Sequence, residues 1–437
     1  MIAVLGTVTI AVFVFLIFTK RLHVITALIS VPIVAGVIGG FGPKLGAMMF
    51  DGLKTTAPTG IMIMFSVLFF CIQMDTGLFN PLIQKIVSLV KNDPLKISIG
   101  TAVMTLAIAL DGEGVTNFVI LTLTMLPIYR RLGMNPLVFT CLASLANYLM
   151  NSSPWGGPTM RAMAVLHLGV DDLFTPLLPA MGVGLIWLVV VAYILGMKER
   201  KRLGYTKEKD NAVTNVVIAA DIEAALNQDA TTLRPKLMWI NLALVIVVMV
   251  ALVMNAMPPA ILFIIAFCAT ILINYRDFDQ METRIRTHAG NALWATVVVF
   301  AAGVFTGIFR GTKMIDEMAL GLVALIPDAL GPHMAIMSGV LSYLSTLIVS
   351  PDAFYFGVLP IISQAASHFG IDPVQSGRAV ILGQLGYGIS PLVAAPLLLC
   401  SLTNVQFSDH QRFAFIWGLS TAALMLLTAV LTGVIPF

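Results

Sequence analysis

Charge is what this chain lacks. Asp, Glu, Lys and Arg make up only 11% of its 437 residues, against about a quarter in a soluble globule, and such a chain cannot clothe a water-facing surface. Cysteine is scarce as well. Cys71, Cys141, Cys268 and Cys400 stand singly in apolar runs, a spacing that excludes a disulfide framework and a zinc site. The six histidines are scattered and form no metal cluster, and a net charge of +3 is too small to indicate nucleic acid. The first apolar run, residues 2–18, has neither a basic stretch before it nor a small-residue cleavage site after it, so it is expected to be a retained helix. Hydrophilic segments are also rare, with residues 198–236 the only long one.

What is present is apolar: 58% of the residues are hydrophobic and the mean hydropathy is +0.95. About 20 apolar residues span a bilayer, so the length allows ten or so crossings plus shorter re-entrant pieces. The expected fold class is an all-α polytopic membrane protein without a separate soluble domain.

Asn151 to Thr159 reads Asn-Ser-Ser-Pro-Trp-Gly-Gly-Pro-Thr, which must break a membrane helix between two apolar arms. Lipid cannot hydrogen-bond exposed backbone, so such a break survives only where protein buries it or a polar cavity lies beside it. A second break, Gly-Tyr-Gly-Ile-Ser-Pro-Leu-Val-Ala-Ala-Pro, occupies residues 386–396. Gly133, Pro136, Ser153 and Pro154 recur 237 positions later as Gly370, Pro373, Ser390 and Pro391, which marks an internal duplication.

Each copy is expected to hold three plain spans, a re-entrant hairpin, a broken helix and a closing span. In the first copy the spans lie near 2–18, 22–40 and 58–78, and the hairpin arms are 97–110 and 115–128 around Asp111-Gly112-Glu113-Gly114. The broken helix comprises 136–150 and 160–168, and the closing span 177–197. In the second copy the spans are 237–254, 259–275 and 290–309, with hairpin arms 334–349 and 353–366 around Ser350-Pro351-Asp352. Arms 373–389 and 392–403 and a last span, 413–434, complete it. Fourteen-residue arms are too short to cross at about 1.5 Å per residue. Five crossings plus one hairpin per copy turn the second copy upside down. With the linker 198–236 cytoplasmic, 19 of the 25 Lys and Arg residues face the cytoplasm, as the positive-inside rule requires, and both termini lie outside. The expected division is 1–96 and 237–332 as scaffold, and 97–197 and 333–437 as transport parts.

Inverted repeats of this kind gather four irregular segments around one central site. Half-helices starting near Val115, Met160, Ala353 and Leu392 point positive dipole ends at it, and free N–H groups there suit an anion. Candidate substrate ligands are Asn151, Ser153, Pro154, Gly156, Gly157, Thr159, Ser390 and Pro391 at the breaks, with Thr116, Asn117 and Ser350 beside the hairpin tips. The tip acids Asp111, Glu113 and Asp352 are candidates for proton or cation coupling, Asp111 and Asp352 also for touching a metal ion. Alternatively Asp111 and Asp352 cap the helices that follow. Arg161 and Arg378 offer planar forks of donors for a carboxylate, or snorkel to the interface. Asp75 reads as a cap or interfacial acid. No His, Cys or Ser–Lys constellation joins the acids, which counts against a membrane-embedded enzyme, and a duplicated carrier with re-entrant tips counts against a channel.

Leu-Asp-Gly-Glu-Gly at 110–114, Pro-Trp-Gly-Gly-Pro-Thr at 154–159 and Ser-Pro-Asp-Ala-Phe-Tyr-Phe-Gly-Val-Leu-Pro at 350–360 resemble the citrate–divalent-metal/proton symporter family of the ion transporter superfamily. The resemblance runs the length of the chain. It implies uptake of citrate as a complex with Mg²⁺ or a related divalent ion, driven by protons, with no permanently bound cofactor. It also implies a homodimeric elevator-type carrier in a bacterial cytoplasmic membrane. Glu113, where the family usually has Asp, and Met160, where Pro is common, depart from the pattern. A sodium- or proton-coupled di- or tricarboxylate carrier, or an anion exporter of the same superfamily, is the alternative.

Overall fold

A computed structural model describes residues 1–90, 92–111, 114–205 and 231–437. Glu113, the Asp111 side chain and most of the linker lie outside what is described. The described residues are helical throughout the apolar segments, and six stretches are long and apolar enough to cross a membrane.

The chain begins with α1 (Ile2–Phe18), α2 (Val24–Ile38) and α3 (Leu45–Asp75). α3 starts well before the expected span because Pro58 sits inside it rather than at its start, a placement that neighbouring groups make tolerable in membrane helices. An amphipathic α4 (Asn80–Val90) leads to the first hairpin, α5 (Pro94–Ile108) and α6 (Val115–Leu132), with a short 3₁₀ turn, Ala109–Asp111, between them. Asp93 caps α5 through the Leu95 N–H at 3.0 Å and pairs with Arg200. Burial alone would raise the Asp93 carboxyl, but the Arg200 guanidinium outweighs it and holds the group below its usual range. The first broken helix is α7 (Pro136–Met150) and α8 (Gly157–Leu166), followed by the one-turn α9 (Val170–Leu173) and by α10 (Leu178–Arg202).

The second half retraces this order with α11 (Met238–Val253), α12 (Pro259–Asn274), α13 (Phe278–Gly311) and the amphipathic α14 (Met314–Val323). Its hairpin is α15 (Met334–Ser345) and α16 (Leu359–His368), the latter entered through a π-helical stretch, Ala353–Val358. Then come α17 (Pro373–Gly383), a 3₁₀ segment Gln384–Ile389, α18 (Ala394–Thr403) and the last helix, α19 (Phe407–Leu431). Compared with expectation, the second arms of the breaks start three residues earlier at Gly157 and two later at Ala394, and α19 starts six residues earlier.

α3 and α13, at 31 and 34 residues, form the most extensive helix pair. Their backbones touch: a Cβ on Gly52 would lie 2.0 Å from Gly303 O, and one on Gly307 2.3 Å from Met48 O. Membrane helices gain little from apolar attraction to each other, so close packing at small residues supplies the association. Amide pairs add to it. Asn241 of α11 and Asn274 of α12 exchange two hydrogen bonds of 2.8 Å, and Gln73 of α3 donates to Thr270 at 3.1 Å.

Candidate functional site

The first break closes on itself. α7 ends at Met150, and the Asn151 side-chain oxygen accepts from the Gly157 N–H at 3.1 Å while the Thr159 hydroxyl donates to Ser152 O at 2.9 Å. The turn is so tight that a Cβ on Gly156 would stand 1.9 Å from Asn151 O, so only glycine fits. Trp155 fastens this loop to its surroundings. Its indole N–H donates 2.7 Å to Leu110 O in the first hairpin, and its ring packs on Phe70 of α3 and Phe263 of α12 at centroid distances of 4.5 and 5.6 Å.

The second break is tied to its neighbours. Ser390, fully buried, donates to Thr346 O at the end of α15 and accepts the Leu392 N–H at 3.2 Å. Gln384 reaches across to the first break, its amide nitrogen donating to Tyr148 O at 2.6 Å and to the Ser152 hydroxyl at 2.8 Å. His410 and Gln411 of α19 touch Gly388 O and Ile389 O, each at 3.0 Å. The two breaks therefore lie against each other. The first hairpin joins them at Gly114, where an added Cβ would meet Ala395 of α18 at 3.2 Å and the Asn147 amide of α7 at 3.3 Å.

At the second hairpin, Asp352 is not isolated. Arg161, in the first turn after the first break, donates from Nε to Asp352 Oδ1 at 2.7 Å, and both side chains keep roughly a fifth of their surface open. The capping alternative for Asp352 does not hold, since the Ser350 hydroxyl accepts the Ala353 N–H at 3.3 Å and the carboxylate makes no cap. Asp352 stands directly before the π-helical stretch, a form that recurs at functional sites.

Several buried oxygens around these crossings lack a hydrogen-bond partner in the described protein: Asn147 Oδ1, Ser153 Oγ, Gln384 Oε1, Tyr355 Oη and Tyr387 Oη. Orphaned polar atoms are costly away from water, and a ligand with cation or donor groups would satisfy them. The phenol rings of Tyr355 and Tyr387, 6.4 Å apart, bring two of these oxygens beside the Arg161–Asp352 pair.

The structure thus brings together Asn151, Ser153, Gly156, Gly157, Thr159, Arg161, Asp352 and Ser390. Pro154 is buried in the first break, Pro391 exposed in the second, and Asn117 is buried and Thr116 exposed in the first turn of α6. Arg378 is elsewhere: it donates to Asp172 O at 2.7 Å and Val434 O at 3.0 Å, so its fork is committed to carbonyls at the ends of other helices. Asp75, the last residue of α3, is 2.6 Å from His288 Nε2 and 3.5 Å from Arg284. Asn147, Gln384, Tyr355, Tyr387 and His410 escaped the sequence reading. The first two had a visible signal, since they occupy equivalent positions under the 237-residue shift.

Comparison with known proteins supplies the family. The CitMHS family profile, described as a citrate transporter, matches residues 1–383. A Bacillus subtilis protein named citrate transporter is 49% identical over the whole of both chains. Another from that organism, named Mg(2+)/citrate complex secondary transporter, is 43% identical and matches along 100% of this chain and 99% of its own. Among solved structures, the YdaH transporter of Alcanivorax borkumensis superposes with a TM-score of 0.57 at 14% identity, covering 90% of this chain and 88% of that one. The last likeness concerns the fold alone; with the profile and the full-length relatives it is the sequence that decides, and the chain belongs to the CitMHS citrate transporter family.

Proposed function

We propose that this protein imports citrate as its complex with a divalent cation, Mg²⁺ or a similar ion, by symport with protons. The observation that carries the reading is the set of unpartnered buried oxygens from both breaks, Asn147, Ser153, Gln384 and Tyr387, together with the first turns of α8 and α18. Hard cations prefer oxygen ligands, and helix amino termini favour carboxylates. Arg161, close behind the first break, is already paired with Asp352. Free citrate would bring three negative charges to that sparse positive field, and unpaired burial of them would cost several kcal/mol. A bound divalent ion leaves one. It also lowers the electrical work of entry, about 2.3 kcal/mol per charge per 100 mV, and two protons would make entry electrogenic and favourable.

Asp352, with Asp111 and Glu113 of the first hairpin, is the proposed coupling group. Taking up a proton at Asp352 would free Arg161 for a substrate carboxylate. The architecture of this reading is a pair of inverted repeats, each of five crossings and one re-entrant hairpin. Segments 97–197 and 333–437 move as transport parts against 1–96 and 237–332, in a homodimer of elevator type with the linker in the cytoplasm.

The test is uptake of labelled citrate into proteoliposomes. Transport should follow the concentration of the metal–citrate complex: EDTA at fixed citrate stops it and excess Mg²⁺ restores it. Undiminished uptake with all divalent ions chelated would make the substrate a free carboxylate.

A further inference from the structure

His410 is fully buried in the first turn of α19. Its Nε2 lies 3.0 Å from Gly388 O, and because a carbonyl only accepts, Nε2 carries the hydrogen. The other ring nitrogen, Nδ1, is 3.0 Å from the Thr140 hydroxyl of α7, which in turn lies 3.2 Å from Leu137 O. The Ser144 hydroxyl is a more distant contact at 3.5 Å from Nε2.

These contacts satisfy the ring in two protonation states. With a neutral imidazole, the Thr140 hydroxyl donates to Nδ1. With a proton added to the Nδ1 lone pair, Nδ1–H donates to Thr140 Oγ1 and the hydroxyl turns to Leu137 O. The Thr140–Nδ1 hydrogen bond reverses its direction and no donor is stranded. Gly388 also lies at the carboxyl end of the first arm of the second broken helix, the negative end of its dipole, where an imidazolium is favoured.

No carboxylate among the described residues is hydrogen-bonded to His410. Of the charged and titratable groups on the helices packed against α19, Glu199 of α10 is held by Arg202 and the Asn135 N–H, Arg200 by Asp93, Lys198 lies over the Trp417 ring of α19, and Arg378 of α17 is held by two distant carbonyls. Tyr343 of α15 donates to Phe415 O. The thiols Cys141 and Cys400 and the phenols Tyr148 and Tyr387 also lie on those elements, and Asp409 and Arg412 of α19 itself are exposed. The helix end is thus the polar field the ring meets.

We propose that His410 is a proton-operated positioning residue. It takes a proton from the aqueous face at which α19 begins, and as an imidazolium holds Gly388, and with it the second break, more firmly against α7. A charge-assisted hydrogen bond is roughly twice as strong as a neutral one, so the protonated form favours the geometry that binds substrate. The inference rests on the proposed function only in assigning the second break to the substrate site.

The experiment uses the full-length protein in proteoliposomes and nanodiscs, with two variants. In His410→Gln the amide nitrogen takes the place of Nε2 and keeps the Gly388 donor without titrating; in His410→Asn the amide reaches Thr140 and loses Gly388. Counterflow exchange, which needs no net proton movement, is measured at a fixed concentration of the Mg²⁺–citrate complex. Wild-type KM should fall about tenfold as the medium is made acidic enough to protonate the ring. The Gln variant should lose this dependence, and the Asn variant should raise KM about tenfold before and after acidification. In wild type, ¹⁵N signals of the His410 ring should report protonation of Nδ1 over the same acidification. An Nδ1 that stays unprotonated, or a Gln variant with the wild-type pH profile, would overturn the proposal. The ring signals decide the matter even if both variants unfold. Uptake that ignores a proton gradient while the ring titrates and KM shifts would remove proton coupling and leave His410 standing.

Discussion

The two broken helices start from related sequences and close by different means. In the first, Ser152 O is satisfied from within the break by the Thr159 hydroxyl. Under the 237-residue shift Ser152 becomes Ile389 and Thr159 becomes Pro396, which has no hydroxyl. The equivalent carbonyl, Ile389 O, is instead capped from α19 by Gln411 at 3.0 Å. Similarly, Asn151 provides a side-chain acceptor for the Gly157 N–H, whereas its counterpart Gly388 has no side chain and its own carbonyl is held by His410. A break that caps itself is a rigid local unit. One capped by another helix depends on where that helix stands, so the second break is the one whose shape a distant proton or helix movement can alter.

The sharpest way to break the comparison is at the tight turn of the first unit. Gly156→Ala places a methyl 1.9 Å from Asn151 O, and should cost about 3 kcal/mol or more and reduce citrate uptake to background. The equivalent residue of the second break is Val393, which already carries a side chain. Val393→Ala should therefore leave the thermal midpoint within a few degrees of wild type, and a comparable loss in both would show that the two turns are equally tight.

Next in size is the contact that joins the first break to the second hairpin. Arg161→Gln leaves the Asp352 carboxylate unpaired, at a cost of about 2 kcal/mol, below the fully buried case because both groups are partly open. Uptake should fall at least tenfold. The exchange Arg161→Asp with Asp352→Arg should recover part of the folded stability in a thermal scan without recovering proton-driven accumulation.

The smallest effects should come from the two caps. Thr159→Val and Gln411→Leu each uncover one of the equivalent carbonyls, worth about 1 kcal/mol apiece. Their losses of stability should be alike. Their kinetics should differ: Gln411→Leu, acting through α19, should raise KM more than Thr159→Val, and equal shifts in KM would argue that the second break is as rigid as the first.

Much of this protein was legible in its sequence because lipid makes severe demands on it. Apolar length set the helices, Pro and Gly at 154–159 and 386–396 marked the breaks, and the recurrence of Ser153-Pro154 as Ser390-Pro391 linked them. The motifs also led to the family. A single chain pattern carries these signals because backbone hydrogen bonding within a helix is local. The partners of the long side chains were not legible. Arg161 and Arg378 looked alike on paper, yet one meets Asp352 across 191 positions and the other is consumed by carbonyls 206 and 56 positions away. His410 belongs with Thr140, 270 residues earlier. Helix periodicity says which residues share a face, but the neighbour on that face is set by how the helices cross, and that packing is decided only when the chain folds.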